Sequence, residues 1–211
     1  MLDAETLFKL TSKPRIDQIS LKLLQQYYEQ YLEPYIFIFR LDNGETIHLE
    51  FHKKHLCHLL GIERIAKGSV KSKDLHKYSG IEGFRNIQNG IITKEHLKRL
   101  NKGKFNSAKD KLIFFYLLPS IIDSPQILLD FVARDVHSLI QAKLLAYVST
   151  EQAYVHLGID QDHINMRFFP RTYLIERITQ TSDGTKFIKD QSPLKVVKTD
   201  KVNKKHSLTL S

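Results

Sequence analysis

Residues 35–51 read YIFIFRLDNGETIHLEF and predict a β-hairpin. Aromatic and β-branched residues fill 35–41, and apolar residues recur at alternate positions over 46–51, which is typical of strands. Asp42-Asn43-Gly44 predicts the turn between them, because Asn-Gly readily adopts the positive φ angles of a tight hairpin. The hairpin is the clearest local signal in the chain.

The sequence before the hairpin is helical in pattern. Residues 4–11 predict a short helix and residues 15–32 a longer amphipathic one, in which apolar side chains recur every three to four positions. Glu33-Pro34 ends this helix, because the residue before a proline disfavours helical backbone angles.

A helical region is also predicted after the hairpin. Residues 52–60 predict a helix that ends at Gly61. The Lys- and Gly-rich stretch 62–105 predicts short helices and could be an insertion, and residues 107–118 predict an apolar helix.

The C-terminal part changes to short strand-like segments separated by turns. We predict strands over 126–132, 139–148 (whose start could be helical), 154–159, 167–177 and 194–197. Strands at this spacing favour an antiparallel meander. The fold class is therefore α+β, with one domain over residues 1–198. A Lys-rich basic tail over 199–211 has a composition that is also compatible with disorder.

The amino-acid composition indicates whether the chain can form a core and which cellular compartment it suits. Hydrophobic residues make up 42% of the 211 residues, so a core can form. The single cysteine, Cys57, cannot form an intramolecular disulfide, which favours a reducing compartment. No export signal or membrane span is predicted, so we expect a cytoplasmic protein with no membrane partner.

The formal net charge of +9 favours a polyanionic partner, because contacts to phosphates release condensed counterions. The ordinary alternative is charge that serves solubility alone. Residues 94–111 carry seven basic and two acidic side chains, and they are most simply a solvated helix face that could also guide RNA. The loop around Tyr78 adds a candidate contact, although such loops are as often plain surface.

A histidine cluster follows the hairpin. His52, His55 and His58 are spaced by three along the predicted helix, and Lys54 lies beside them. Phosphodiester cleavage needs a base and an acid, and imidazole titrates in the range for either. A nearby cation would stabilise the additional negative charge of the transition state. Surface or packed histidines are the ordinary alternative.

A zinc site is a second alternative for this cluster, since His and Cys are zinc ligands. However, the HExxH spacing is absent and no second Cys/His pair lies at zinc-finger spacing. We therefore predict no metal and no cofactor.

A second candidate site lies in the run FFPRTYL, residues 168–174. Arg171 and Tyr173 are expected on one face of a strand and Thr172 on the other. Arg can clamp a phosphate, Thr can donate a hydrogen bond and Tyr can stack on a base. A strand with solvent-facing polar residues is the ordinary alternative.

Three motifs in this order, at 35–44, 55–61 and 169–173, resemble the phage-associated nucleases of the barnase–EndoU–colicin–RelE group, most of all the fourth phage subfamily. The resemblance implies helices packed on an antiparallel sheet of about four strands. It also implies metal-independent cleavage of RNA, such as tRNA or mRNA, by a toxin encoded by a phage or mobile element in a bacterial host.

The resemblance places catalytic roles on four residues: His55, His58, Arg171 and Thr172. Lys54, Tyr78, Tyr173 and Lys143 are the expected substrate contacts. We therefore predict an endoribonuclease that acts through the 2′-hydroxyl, with a cognate immunity or antitoxin protein as a further expected partner. A non-catalytic phage-encoded binder of nucleic acid, or of a host protein that processes nucleic acid, remains the main alternative.

Overall fold

A computed structural model describes residues 2–123, 128–132 and 142–207. The chain divides into two compact units, Met1–Glu33 with His52–Tyr116 and Pro34–Phe51 with Leu117–Ser211. We call them the helical unit and the sheet unit. The expectation from length was a single domain. None of the described helices is long and apolar enough to cross a membrane.

The helical unit consists of short helices. These are α1 Ala4–Phe8, α2 Leu21–Tyr31, α3 Leu56–Leu59, α4 Ile62–Ala66, α5 Gly80–Gln88, α6 Lys94–Leu100 and α7 Lys102–Phe114. The 15–32 prediction is divided, because Ile16–Gln18 forms a 3-10 turn and α2 begins only after Ser20, whose side chain accepts the amide of Leu23 at 3.0 Å. Residues 62–105 pack within this unit through buried Ile62, Phe84 and Leu97.

The sheet unit contains eight described strands and two short helices. They are β1 Tyr35–Leu41, β2 Thr46–Glu50, β3 Leu128–Asp130, β4 Leu144–Ser149, β5 Ala153–Gln161, β6 Phe168–Arg177, β7 Ser192–Leu194, β8 Val196–Asn203, α8 Leu118–Asp123 and α9 Lys204–Ser207. The hairpin and the β4–β5–β6 meander are confirmed. The α+β class is confirmed too, although the described sheet has eight strands where the resemblance implied about four.

The two edge strands of this sheet, β7 and β8, follow each other directly in the chain. The strand order is β7-β3-β4-β5-β6-β2-β1-β8, and only Lys195 separates β7 from β8. The amide of Asp42 donates to the carbonyl of Lys195 at 3.0 Å. Because two Cα–Cα steps span at most about 7 Å, the sheet must curve enough to bring the end of β7 close to the start of β8.

Residues 199–207 differ from the expected tail. Residues 199–203 continue β8, which pairs with β1. The backbone amide of Lys204 donates to the carbonyl of Pro34 at 2.9 Å, and its ammonium to that of Phe51 at 2.6 Å. The Lys-rich composition hid this strand because an edge strand tolerates charged side chains.

Candidate active site

The histidine segment is anchored by its apolar side. The hydroxyl of Tyr28 in α2 donates to the carbonyl of His52 at 2.9 Å, and Lys53 pairs with Glu29 at 2.9 Å. The apolar side chains of the segment are buried, namely Leu56, Cys57, Leu59 and Leu60. His58 is left exposed and His55 partly exposed.

His55 is held in one tautomer by the backbone. The amide of His52 donates to Nδ1 of His55 at 3.2 Å. An accepting ring nitrogen carries no proton, so the neutral ring has its proton on Nε2. While this bond is kept, Nε2 of His55 donates hydrogen bonds and cannot act as a base.

His58 has the opposite arrangement. Its Nδ1 lies 3.6 Å from Oε2 of Glu63, the second residue of α4. The distance is too long for a direct hydrogen bond, but a carboxylate on this side favours the tautomer with the proton on Nδ1. The neutral ring then has an unprotonated Nε2, which is the form required of a base.

Gly61 makes the turn between α3 and α4. Its φ is +74°, a left-handed conformation that favours glycine, and its amide donates to the carbonyl of His58 at 3.0 Å. A Cβ atom built on Gly61 would lie 3.4 Å from Cβ of Ala108 and 3.5 Å from Cδ of Lys111. The missing side chain therefore leaves room for α7 and for the aliphatic stem of Lys111.

Lys111 is a partly buried cation with another cation beside it. Burial, together with a smaller effect of the Arg64 guanidinium, lowers the pKa of its ammonium to about 8. Neither Lys111 nor Arg64 has a hydrogen bond or ion pair with any residue that the structure describes. We call His58, Glu63, Arg64 and Lys111 the Gly61 cluster, because all four lie around that turn.

Other predicted residues of the helical unit take ordinary positions. Lys54 is exposed, and the hydroxyl of Tyr78 lies 2.9 Å from Nε2 of His96, with the two ring planes 17° apart. Cys57 is buried, and burial raises the pKa of its thiol to about 12, so it serves packing as expected. Within residues 2–123, 128–132 and 142–207, no group of three or more His, Cys, Asp or Glu is placed to hold a metal ion.

The FFPRTYL run forms part of β6, but its faces differ from the expectation. Pro170 and Tyr173 pair with Ile159 and Leu157, which are alternate residues of β5, so both lie on the buried face. The register shifts between them, and Arg171 has no position opposite it. The prediction that Arg171 and Tyr173 share a face is therefore wrong, because a β-bulge inserts one residue.

This bulge separates exposed from buried residues. Arg171 is exposed and has no hydrogen bond or ion pair among the described residues, Thr172 is half-buried, and Tyr173 is fully buried. Lys143, also exposed, donates to Oε1 of Gln161 at 2.9 Å and lies over the Phe168 ring.

The predicted site residues thus fall in both units. His55, His58, Lys54 and Tyr78 belong to the helical unit, and Arg171, Thr172, Tyr173 and Lys143 to the sheet unit. The sequence prediction missed Glu63, Arg64 and Lys111. A signal for Lys111 was present, since it lies between Ala108 and Leu112 at the spacing of the buried helix face, where a lysine is unusual.

Comparison with known proteins adds one match. A family described as phage-Barnase-EndoU-ColicinE5/D-RelE like nuclease4 matches residues 21–210, nearly the whole chain. No curated protein and no solved structure gives a match.

Proposed function

The chain belongs to this family of phage barnase–EndoU–colicin E5/D–RelE-like nucleases, and from that premise we propose that it is an endoribonuclease that needs no metal ion. Nucleic acid is the substrate class of the family. The choice of RNA and the mechanism are supported by one observation above all, the exposed imidazole of His58 with Glu63 on its Nδ1 side.

His58 is the general base in this proposal. Its Nε2 takes the proton of a ribose 2′-hydroxyl, and the 2′-oxygen attacks the adjacent phosphorus. The bond to the 5′-oxygen breaks, which gives a 2′,3′-cyclic phosphate and a 5′-hydroxyl end. Glu63 positions the ring and stabilises the imidazolium that forms, as the third member of a catalytic triad does.

His55 has a different role. As an acid it would first take up a proton on Nδ1 and lose the hydrogen bond from His52. We assign it instead a hydrogen bond from Nε2 to a phosphate oxygen, with the proton for the 5′-oxygen coming from solvent. Lys54 is a further proposed phosphate contact of the helical unit. Arg171, an exposed guanidinium without a partner among the described residues, is with Thr172 a proposed phosphate contact of the sheet unit.

A toxin role in conflict between phage and host is part of the proposal, with an immunity or antitoxin protein as partner. The family provides the motivation, because its description names phage nucleases together with colicins E5 and D and with RelE. Growth arrest on expression of the wild type, but not of His58→Ala, is the expected result. Arrest by both variants would contradict a toxin that acts by cleavage.

The enzymatic test compares pools of random-sequence RNA and DNA, both in EDTA. We expect cleavage of RNA alone, 2′,3′-cyclic phosphate ends by mass spectrometry, and a rate at least about 100-fold lower in His58→Ala, the size of effect of a lost acid–base group. His163→Ala is the matched control, because His163 is also an exposed histidine but belongs to the sheet unit and not to the Gly61 cluster. Cleavage of DNA, or an unchanged rate in His58→Ala, would reject the mechanism.

A further inference from the structure

We propose that Lys111 and Arg64 form a binding site for one phosphate group of the nucleic-acid backbone. The site lies at the turn of Gly61, three residues after His58. The inference rests on the proposed function in one respect, since the phosphate is taken to be that of the substrate.

Lys111 combines partial burial with the lack of a protein partner among the described residues. Three lysines of the helical unit have partners within the protein: Lys53 with Glu29, Lys94 with the carbonyl of Ile16 and Lys104 with the carbonyl of Lys67. Others, such as Lys54 and Lys98, have no partner among the described residues but are exposed to solvent. Lys111 has no such partner among the described residues. A partly buried charge that lacks a partner costs stability, so a ligand is the natural source of the missing interaction.

A second cation, Arg64, lies next to Lys111. Arg64 lies close enough to Lys111 to disfavour its protonated form, and it too lacks an anionic partner among the described residues. Glu63, the residue before Arg64, faces His58 instead. Two adjacent cations repel each other when the site is empty, and an anion placed between them would remove that repulsion.

The shape of the Gly61 turn and the chemistry of the two cationic side chains also suit a phosphate group. Gly61 has no side chain, so the aliphatic stem of Lys111 packs on the turn, with Cδ 3.5 Å and Cε 4.0 Å from the position that a Cβ atom would occupy. A guanidinium binds phosphate oxygens in a bidentate manner, and an ammonium adds a compact charge. The pair therefore matches a backbone phosphate close to the proposed base.

The test measures binding of a 2′-O-methyl RNA, which cannot undergo 2′-hydroxyl attack, to the full chain at several salt concentrations. We expect Lys111→Met and Arg64→Ala to weaken binding about tenfold each and to lower the salt-dependence slope by about one. Lys111→Arg should bind like the wild type. Lys109→Met is the matched control, because it removes the same charge from the same helix, and its loss should stay below about threefold.

Other outcomes separate this inference from the proposed function. If RNA is not cleaved by any variant but the binding pattern holds, the ribonuclease proposal fails and the phosphate site stands. If cleavage depends on His58 but Lys111→Met binds no worse than Lys109→Met, the phosphate site is overturned. A Lys111-dependent response to inorganic phosphate alone, without an effect on the oligonucleotide, would also overturn it.

Discussion

Nδ1 of His58 lies 3.6 Å from Oε2 of Glu63, across the turn that Gly61 makes between α3 and α4. The two residues come from different helices, and the left-handed backbone of Gly61 turns the carboxylate back towards the imidazole. The pair therefore depends on the turn as much as on the two side chains.

Replacement of Glu63 by Gln should lower kcat for RNA cleavage by roughly tenfold and leave KM almost unchanged. The amide keeps the shape but removes the charge that favours the Nδ1–H tautomer and stabilises the imidazolium. Steady-state kinetics with Glu63→Asp as the partial rescue checks this, and Glu82→Gln, an exposed glutamate of α5, is the control. A rise in KM alone would show that Glu63 contributes to binding and not to positioning of His58.

Replacement of Lys111 by Met should stabilise the protein at pH 7 while it weakens nucleic-acid binding. Burial lowers the folded-state pKa of Lys111 from 10.5 to about 8. Between about pH 8 and pH 10.5 the unfolded chain therefore binds more protons than the folded chain. The free energy of unfolding of the wild type rises with pH over this interval. The gain at pH 7 should be roughly 1–3 kcal/mol and should shrink towards pH 10.

Urea unfolding at pH 7, 8, 9 and 10 measures this effect. The other titratable groups around the turn, His58, Glu63 and Cys57, are the same in both proteins, so the difference between the two curves isolates Lys111. A destabilised Lys111→Met protein at pH 7 would mean that the ammonium already has a favourable partner.

His156 should make the protein sensitive to acid. It is fully buried in β5, and neither ring nitrogen has a hydrogen-bond partner among the residues that the structure describes. The rings of Tyr147, Tyr154 and Phe187 lie against it. Burial lowers its pKa to about 4 from 6.5. As pH falls through this window the unfolded chain takes up the proton first, and the free energy of unfolding should fall by up to about 3 kcal/mol.

Replacement of His156 by Leu should remove this loss and raise the stability at pH 7 by about 1 kcal/mol, because no unpaired ring nitrogen is then buried. Denaturant unfolding at pH 4.5 to 7.5 gives both numbers. Glu176, whose pKa burial raises, shifts both curves equally. Parallel curves for the two proteins would contradict a neutral, buried His156.

Replacement of Arg167 by Met should destabilise the protein by about 3 kcal/mol. Arg167 forms an ion pair with Glu50, whose side chain is only 6% exposed, beside the parallel pairing of β2 with β6 at Leu49 and Phe168. Loss of the guanidinium removes an ion pair from a buried carboxylate. Arg40→Met is the control, since Arg40 pairs with Asp200 at the surface and should contribute less than about 1 kcal/mol. Equal effects in the two variants would show that burial of Glu50 does not matter.

Local patterns in the sequence were sufficient to predict several of the strands and one helix end. The alternation over 35–51 predicted β1, β2 and their turn, and the β4–β5–β6 meander followed from the same kind of pattern. The end of the histidine segment at Gly61 was also predicted correctly, because helix ends depend on residues a few positions apart. The single helix predicted over 52–60 is instead a 3-10 turn, Lys53–His55, followed by α3.

The tertiary structure decided which side chains have partners. Arg171 and Tyr173 were expected on one face, and a one-residue bulge against β5 placed them apart. Lys111 was assigned to a solvated helix face, yet α7 packs it against Gly61 and close to Arg64. The sequence by itself thus determined the fold class, the basic charge and the family, since these follow from composition and short-range spacing. The pairing of His58 with Glu63 and the burial of Lys111 followed only from the fold, because they depend on contacts between different helices that no local period encodes.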